Sequence, residues 1–433
     1  AALRRQDTMA ESLAAMERAA RPAHFFARET RPLGALLGDR LTLSPTRVEQ
    51  YYRCRFSYFL QYVLRIRPRR RAELSPLESG SLVHYILEHV MRRAGAEFPR
   101  LAPEELARLA GEVADQYVAE NMPAAGRRFA YLVERLKRGV TRLLAYLQAE
   151  QAQSLFHPAA FEQEIGTGEG AVPPLTLRTP DGRTVQVQGK IDRVDVMERE
   201  GRTYLRVVDY KTGKSDFDLL KTFYGLKLQL VTYMKAAQRI EKKRHPDKNI
   251  IPAGILYYNI DNPIIEVQSV HEEEDADYRE AVDEMILENL RMKGVVNEDT
   301  EIIRKMDDRG GKSAVIPVAF KSNGELDMRS HIYSTQKFEQ LTDYVTEKSA
   351  DMAAGIFGGN VDVNPYHTQK EDACTYCPYH AVCGFSPDIP GGQSRSLKTF
   401  SDEEIWEKIR EGVDENGKPL DRKTVQGNPD KRL

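Results

Sequence analysis

The sequence predicts an α/β fold with an added helical region, and three observations lead to this prediction. Residues 103–150 carry apolar side chains at helical spacing throughout. From Val185 to Gln188 apolar and polar residues alternate instead, as in a half-buried strand. After residue 200 short apolar strands and longer amphipathic helices follow one another along the chain. The change from a period of 3.6 to a period of two therefore separates a helical region, 100–150, from a region that contains a sheet.

Bulk composition is that of an ordinary globular protein. The chain has 433 residues, of which 41% are hydrophobic and 30% charged, with a formal net charge of −2. This length allows a large core and more than one folding unit. Because the net charge is close to zero, any surface that binds nucleic acid must be local.

No export or membrane segment is visible. No apolar run approaches the roughly 20 residues that cross a bilayer, so no membrane partner is predicted. The chain starts Ala1-Ala2-Leu3-Arg4-Arg5, without Met or a signal peptide. We therefore expect an internal part of a longer polypeptide in the reducing cytoplasm, where disulfides are rare.

Two helices are predicted near the start of the chain. The first spans about Asp7 to Ala20. The second has Ser44 as N-cap and Pro45 at its first position, and its apolar spacing continues to Val63. Five arginines follow between residues 65 and 71. Two interpretations of this run stay open, a solvated face or a strip that contacts DNA phosphates. The candidates for DNA contact are Arg67, Arg69, Arg70 and Arg71.

Further helices are predicted over residues 76–94, 224–243, 275–293 and 335–354, and strands over 191–196, 204–211, 253–259 and 264–270. A change of phase near Gly189 indicates a β-bulge, and Gly201 marks a turn between strands. Residues 294–330 are polar and contain glycine, which is typical of an inserted arm. The tail after Pro390 is polar, with one short helix near Asp402 to Glu411.

The strongest chemical signal is a pair of carboxylates beside a lysine. Side chains alternate along a strand, so Asp209 and Lys211 point to the same side. Asp192 lies on what should be the neighbouring strand of a hairpin. Two close carboxylates repel each other unless a cation lies between them, and hard oxygen ligands favour Mg²⁺ or Mn²⁺. The lysine would orient a water for attack on a phosphodiester.

These residues resemble the RecB-like branch of the PD-(D/E)xK nuclease superfamily. The resemblance implies a restriction-endonuclease-like core with a mixed central sheet and flanking helices. It extends to the helix Gly80-Ser81-Leu82-Val83-His84, where it makes His84 a metal ligand beside Asp192 and Asp209. It also extends to Gln229 and Tyr233, four positions apart on one helix face, which it assigns to the active site and the DNA path.

Four cysteines form a second constellation. Cys374, Cys377 and Cys383 are clustered, and Cys54 lies far upstream. Thiolates are soft ligands for zinc or iron–sulfur clusters. A [4Fe–4S] cluster, a zinc ion and four unligated thiols all stay open from spacing alone. One distant cysteine before a compact triplet resembles the iron–sulfur nucleases, and this resemblance implies a [4Fe–4S] cluster that joins the two ends of the domain.

A closer resemblance, to the AddB family of helicase–nuclease subunits, covers roughly residues 40–386. It rests on the sequences at Leu43–Glu49, Cys54–Tyr62, Asn364–Tyr366, Ala373–Tyr379 and Val382–Phe385. It implies three parts: the trailing end of a helicase-like region at 1–40, an iron–sulfur nuclease domain at 41–390, and a polar tail at 391–433.

The resemblance also implies an activity and a partner. The activity is hydrolysis of the 5′-terminated DNA strand during resection of double-strand breaks. The partner is an AddA-like helicase subunit, which would supply ATP-driven unwinding and a single-stranded end. The Gly-Lys-Ser sequences at 213–215 and 311–313 lack the earlier glycine of a P-loop, so no ATP site is predicted here. Two alternatives remain: a degenerate module that binds DNA without cutting it, and a stand-alone RecB-like exonuclease.

Overall fold

The computed structural model describes residues 12–16, 36–38, 40–67, 76–121, 127–179, 182–211, 213–260, 290–387 and 394–420. Of the helix predicted from Asp7 to Ala20, only residues 12–16 are described, and they are helical. The strand predicted at 264–270 and most of the helix predicted at 275–293 lie outside the described residues.

The regular elements of the described chain follow in order. They are β1 (Arg40–Leu43), α1 (Pro45–Arg53), α2 (Arg55–Tyr58), α3 (Pro76–Ala94), α4 (Pro103–Asn121), α5 (Arg127–Gln153), β2 (His157–Ile165), β3 (Leu175–Arg178), β4 (Thr184–Val187), β5 (Gly189–Arg199), β6 (Arg202–Lys211), α6 (Leu219–Phe223), α7 (Gln229–Arg244), β7 (Asn249–Asn259), β8 (Lys293–Asn297), α8 (Thr300–Met306), β9 (Ile332–Tyr333), α9 (Thr335–Phe357), β10 (Tyr366–His367), α10 (His380–Cys383), β11 (Arg395–Ser396) and α11 (Asp402–Glu411).

A mixed six-stranded sheet forms the centre of the fold, with the strand order β2-β5-β6-β7-β8-β9. β5 and β6 form an antiparallel hairpin, and β7 pairs parallel to β6 after the chain has returned through α7. The hairpin turn contains Glu200 and Gly201, both with positive φ (52° and 72°), as the tight turns of twisted hairpins require. The predicted mixed sheet and the turn at Gly201 are thus confirmed.

Side chains of β6 alternate between two apolar layers, as its sequence pattern predicts. Leu205 and Val207 belong to the layer that α1, α7, α9 and α11 cover. Val208 and Tyr210 belong to the opposite layer, which α3, α4, α5 and α8 cover. The helical region predicted at 103–150 therefore exists as α4 and α5, and it shields one face of the sheet. None of the described helices has the length and apolar character needed to span a bilayer.

The prediction of a β-bulge near Gly189 is wrong. β4 pairs with β1 and β3 in a separate three-stranded sheet, whereas β5 belongs to the central sheet. The intervening Gln188 donates its backbone N–H to Leu43 O at 2.7 Å. The side-chain phase changes here because the chain leaves one sheet and enters another.

The prediction that residues 294–330 form an inserted arm is also wrong. Its first residues form β8, and α8 follows directly with Ile302, Ile303 and Met306 buried. Val315, Ile316 and Val318 are buried in the same layer as Val208. These few buried apolar side chains are enough to pack the otherwise polar stretch 294–330 against the sheet.

Two helices differ from the prediction at their ends. The helix that begins at Ser44 is interrupted at Cys54, whose backbone is extended (φ −163°, ψ 121°), and resumes as α2 and one turn of π-helix. The helix predicted to start at residue 224 begins at Gln229. Gly225, with φ +81°, ends the short α6 segment before it.

A cluster of buried charges connects α5 to the β5–β6 hairpin. Arg206 donates to Asp195 Oδ2 at 2.6 Å and to Glu150 Oε1 at 2.6 Å. Arg193 donates to Asp195 Oδ1 at 2.6 Å, and the side chains of all four residues are at most 1% exposed. Two arginines and two carboxylates balance each other, which makes their burial tolerable.

Removal of one member of this cluster should be costly. Arg206→Ala leaves Glu150 and Asp195 with one arginine between them, and we expect a loss of roughly 3–5 kcal/mol in the free energy of unfolding. Urea denaturation measures this loss. Arg108→Ala is the matched control, because Arg108 pairs with Glu112 at 2.6 Å on an exposed helix face. A loss of about 0.5 kcal/mol or less is expected there, and similar values for both variants would contradict the prediction.

Candidate active site and cysteine centre

The predicted carboxylate pair lies toward the open end of the β5–β6 hairpin, away from the turn at Gly201. Arg193 pairs with Val208, so the register places Asp192 opposite Asp209. Both side chains are buried. Asp192 Oδ2 accepts a hydrogen bond from the Tyr210 backbone N–H at 2.7 Å. Asp209 Oδ1 has no hydrogen-bond partner among the described residues, which leaves a buried anionic oxygen available to a cation.

Both carboxylates have perturbed acidity. Burial and the neighbouring charge of Asp209 raise the pKa of Asp192 to about 7. Burial also raises the pKa of Asp209, although Lys211 opposes the shift. A raised pKa means that ionisation of a carboxyl group is disfavoured relative to water, and a nearby positive charge offsets this cost. The pair therefore fits a divalent cation, which would offset both charges at once.

His84 and Glu162 complete the acidic group. His84 Nδ1 lies 3.3 Å from Glu162 Oε1 and 3.6 Å from Asp192 Oδ1. One ligand atom from each of these three side chains lies within 4.8 Å of the others. Burial alone would lower the pKa of His84, but its hydrogen bond to Glu162 and the charge of Asp192 raise it instead. Two oxygens and an imidazole nitrogen are suitable ligands for a hard or borderline divalent metal.

Sequence reasoning missed Glu162. It lies on β2 between residues that pair with Arg193 and Ile191, so it stands opposite Asp192. Its backbone has φ +47°, an uncommon conformation for a residue with a side chain. The alternating acids Glu162 and Glu164 before the Asp192 strand were the available signal, but no strand was predicted over 157–165. Lys190 forms an ion pair with Glu162 at the mouth of the site.

Lys211 is held between two acceptors. Its Nζ lies 2.5 Å from Asp209 Oδ2 and donates to Gln229 Oε1 at 2.8 Å. Gln229 also hydrogen-bonds Tyr233, one turn later on α7, and burial raises the pKa of Tyr233 to about 12. A Cβ on Gly189 would lie 2.9 Å from Tyr233 Cε1, so the glycine allows α7 to approach the start of β5. The structure thus brings Gln229 and Tyr233 to the predicted site.

One open cleft of about 510 Å³ is lined by His84, Glu162, Lys190, Asp192 and Lys211. Most of the residues that line this cleft are polar, and the aromatic residues Tyr85 on α3 and Tyr117 on α4 also line it. Of the arginines predicted to contact DNA, Arg67 is exposed, while Arg69, Arg70 and Arg71 lie outside the described residues. Their contact with DNA stays a prediction.

The four cysteines come together where α1 ends. Cys54 is buried with Phe56, Leu60 and Tyr379, and Cys377 and Cys383 pack against this cluster. Burial raises the pKa of Cys374 to about 12, and charges on Asp372 and the other three cysteines act in the same direction. The segment before the triplet is tied to α2, because Asn364 Oδ1 accepts the Arg55 N–H at 2.8 Å. A bound cation would favour the thiolate form of Cys374 against this shift.

A mixed sheet, an acidic group on two of its inner strands that could hold a metal ion, and a lysine beside that group are together typical of a metal-dependent nuclease fold. A family model described as the PD-(D/E)XK nuclease superfamily matches residues 42–384, and the chain belongs to this superfamily. The restriction-endonuclease-like core predicted from the sequence is confirmed.

Curated relatives share one name, which designates the B subunit of an ATP-dependent helicase/deoxyribonuclease. The chain is 33% identical to the protein of Lachnoclostridium phytofermentans over 91% of its own length and 34% of the relative's. It is 33% identical to the protein of Ruminiclostridium cellulolyticum over 87% of its own length and 33% of the relative's. It is 31% identical to the protein of Caldanaerobacter subterraneus over 90% of its own length and 33% of the relative's. The chain therefore spans about a third of the length of these relatives.

Divalent metal should stabilise the protein through Asp192. The pKa of this group is raised from 3.8 to about 7, so its ionisation destabilises the metal-free fold progressively between pH 4 and pH 7. We expect metal-free Asp192→Asn to gain stability relative to the original protein as the pH rises through this window. Added Ca²⁺ should raise the melting temperature of the original protein at pH 8 and have little effect on the variant. Calorimetry at several pH values measures both effects, and equal responses to Ca²⁺ would refute the site.

Proposed function

We propose that the chain is the DNA-cleaving part of a helicase–nuclease B subunit, a Mg²⁺- or Mn²⁺-dependent exodeoxyribonuclease. The observation that carries the proposal is the convergence of His84, Glu162 and Asp192 with Lys211 in one cleft, where Lys211 pairs with the buried Asp209. Isolated Asp-x-Lys sequences are common on strands, whereas this combination of a metal site and a cationic donor is suited to phosphodiester hydrolysis.

His84, Asp192 and Asp209 would hold the metal ion, with Glu162 as a further acidic neighbour. Asp209 Oδ1 has no hydrogen-bond partner in the part of the chain that the structure describes, and the pKa values of both aspartates are raised; both observations support this assignment. When bound, the ion would supply charge stabilisation for the phosphate oxygens and would lower the pKa of a bound water.

Lys211 is the residue that we assign to the attacking water. An ammonium group has three N–H donors, and Asp209 and Gln229 engage two of them. The third is available to a water oxygen in the cleft, which Lys211 lines. In the hydrolysis the water oxygen bonds to phosphorus, the ester P–O bond breaks, and the leaving oxygen takes up a proton. The products are a phosphate monoester and a free hydroxyl.

The names of the relatives support the wider role. A B subunit of a helicase/deoxyribonuclease implies a companion chain, and about two thirds of the length of these relatives lies beyond the matched region. We propose that an AddA-like helicase subunit forms a heterodimer with the B subunit and delivers a single-stranded end to the cleft. Cleavage of the 5′-terminated strand during cytoplasmic double-strand break repair follows from the resemblance of this chain to the AddB family.

We assign a [4Fe–4S] cluster to Cys54, Cys374, Cys377 and Cys383. Cys377 and Cys383 pack against the cluster that contains Cys54, and the charges of all three act on Cys374, which supports one shared centre. The resemblance of one distant cysteine before a compact triplet to the iron–sulfur nucleases favours the cluster over zinc. The cluster would join α1 to the segment after α9 and close a long loop.

Removal of the Asp209 charge should abolish cleavage and leave the fold intact. Asp209→Asn keeps the side-chain shape but weakens both metal binding and the ion pair with Lys211. We expect no detectable Mg²⁺-dependent cleavage of labelled single-stranded DNA, with unchanged DNA affinity in Ca²⁺. Asp343→Asn is the matched control, because Asp343 pairs with Lys235 at 2.6 Å on a half-exposed surface. Full activity of Asp209→Asn would remove the basis for the proposed nuclease and favour a DNA-holding module.

Iron should be present and should depend on Cys54. Anaerobically purified protein is expected to contain about four irons per chain and to absorb visible light. Cys54→Ala should lose this iron and melt at a markedly lower temperature, because the loop closure is lost. Metal quantitation and thermal melting of the same samples provide the measurement. Zinc in place of iron, or iron retained by the variant, would contradict the assignment.

A further inference from the structure

The helix that carries Gln229 has an unusual N-terminal cap. Leu228 occupies the N-cap position of α7 and has no side chain that can accept a hydrogen bond. Glu49, on α1 and 180 residues earlier in the chain, supplies the acceptor. Its Oε1 lies 2.7 Å from Leu228 N and 3.2 Å from Gln229 N. A carboxylate at this place satisfies two otherwise unpaired N–H groups and is favoured by the helix dipole.

The capped residue is the same one that holds Lys211. Gln229 Oε1 accepts from Lys211 Nζ at 2.8 Å, and Lys211 Nζ lies 2.5 Å from Asp209 Oδ2. Glu49, Gln229 and Lys211 thus form a continuous chain of polar contacts from α1 to the cleft. Burial raises the pKa of Glu49, whereas its two backbone donors and the nearby Lys211 lower it.

Helix α1 is itself well anchored. Ser44 caps its start, and Tyr52 Oη donates to Lys348 O on α9 at 2.8 Å. The ring of Tyr52 lies against Gly225, where a side chain would overlap it, just before α7 begins. Helix α1 therefore contacts the segment before α7 at one point and the N-terminus of α7 at another. Because these contacts hold α1 in place, the carboxylate of Glu49 is itself held in place relative to α7.

We propose that Glu49 is a positioning residue for the nuclease reaction: it fixes the first residue of α7 and, through Gln229, the place of Lys211 Nζ in the cleft. The proposal rests on the proposed function of the site. Glu49 lines neither the cleft nor the metal group, so its contribution appears in the rate of the chemical step and leaves substrate affinity unchanged. Displacement of a reacting group by about 1 Å can cost 10²-fold in rate.

The test compares kcat and KM for Mg²⁺-dependent cleavage by the full chain. Glu49→Ala is expected to lower kcat roughly 10- to 100-fold with KM unchanged. Glu49→Gln keeps a carbonyl oxygen for the two N–H groups and should recover most of kcat. Asp299→Ala is the matched control: it removes the cap of α8, where Asp299 Oδ1 accepts from Glu301 N at 2.9 Å, and should leave kcat unchanged.

A double-mutant cycle separates positioning from general destabilisation. If Glu49 acts through Gln229, the variant with both Glu49→Ala and Gln229→Ala should have the kcat of Gln229→Ala alone, within about twofold. Multiplied losses, wild-type kcat in Glu49→Ala, or equal damage by Gln and Ala would each overturn the proposal. Should Glu49→Ala not fold, Glu49→Asp, which retracts the acceptor by one methylene, replaces it in the cycle.

The same assay keeps the two proposals distinct. Absence of Mg²⁺-dependent cleavage by the unmodified chain would reject the proposed function, and the role of Glu49 with it. Cleavage by the unmodified chain together with an unaffected Glu49→Ala variant would reject the role of Glu49 alone.

Discussion

Two carboxylates are buried opposite each other at the centre of the sheet, and the rest of the site is arranged around their charge. Asp192 and Asp209 cannot both be ionised at low cost in this position without a nearby positive charge. Lys211 supplies one positive charge from the same strand, and His84 approaches from α3. Asp209 Oδ1, buried and without a hydrogen bond among the described residues, marks where a metal ion would supply the remainder.

Support for this site comes from an element outside the sheet. Helix α1 caps α7 through Glu49, packs Tyr52 against the segment before α7, and ends at Cys54. The two centres of the molecule, acidic and thiol, are therefore connected through one nine-residue helix. The Arg206 cluster contributes differently, because it fixes the β5–β6 hairpin to α5 from the opposite layer. The hairpin is thus held on both faces.

Local rules explain which parts of this arrangement sequence could predict. Strand alternation and hairpin register bring Asp192, Asp209 and Lys211 together, and both are readable along a short stretch of chain. Glu162 lies 30 positions before Asp192 on a strand that was not predicted, although its alternation with Glu164 was a signal for that strand. Glu49 could not be found in this way, since its partner is 180 positions away and no periodicity connects the two. The prediction of an inserted arm at 294–330 was wrong for a related reason. Its short strand and helix bury few apolar residues, and only the neighbouring sheet shows that these form part of the core.

The distribution of the cysteines has a consequence for biosynthesis. The residues assigned to the acidic site lie between 84 and 233, whereas three of the four thiols lie at 374–383. A ribosome that adds about 5–20 residues per second needs roughly 7–28 s to pass from the one group to the other. A nascent chain therefore presents all the ligands of the cleft while Cys54 still lacks its partners. For the proposed [4Fe–4S] cluster, iron and sulfide could therefore be delivered only after nearly the whole domain has been translated. Truncation before residue 383 would remove one of the four thiols and leave the residues of the cleft in place.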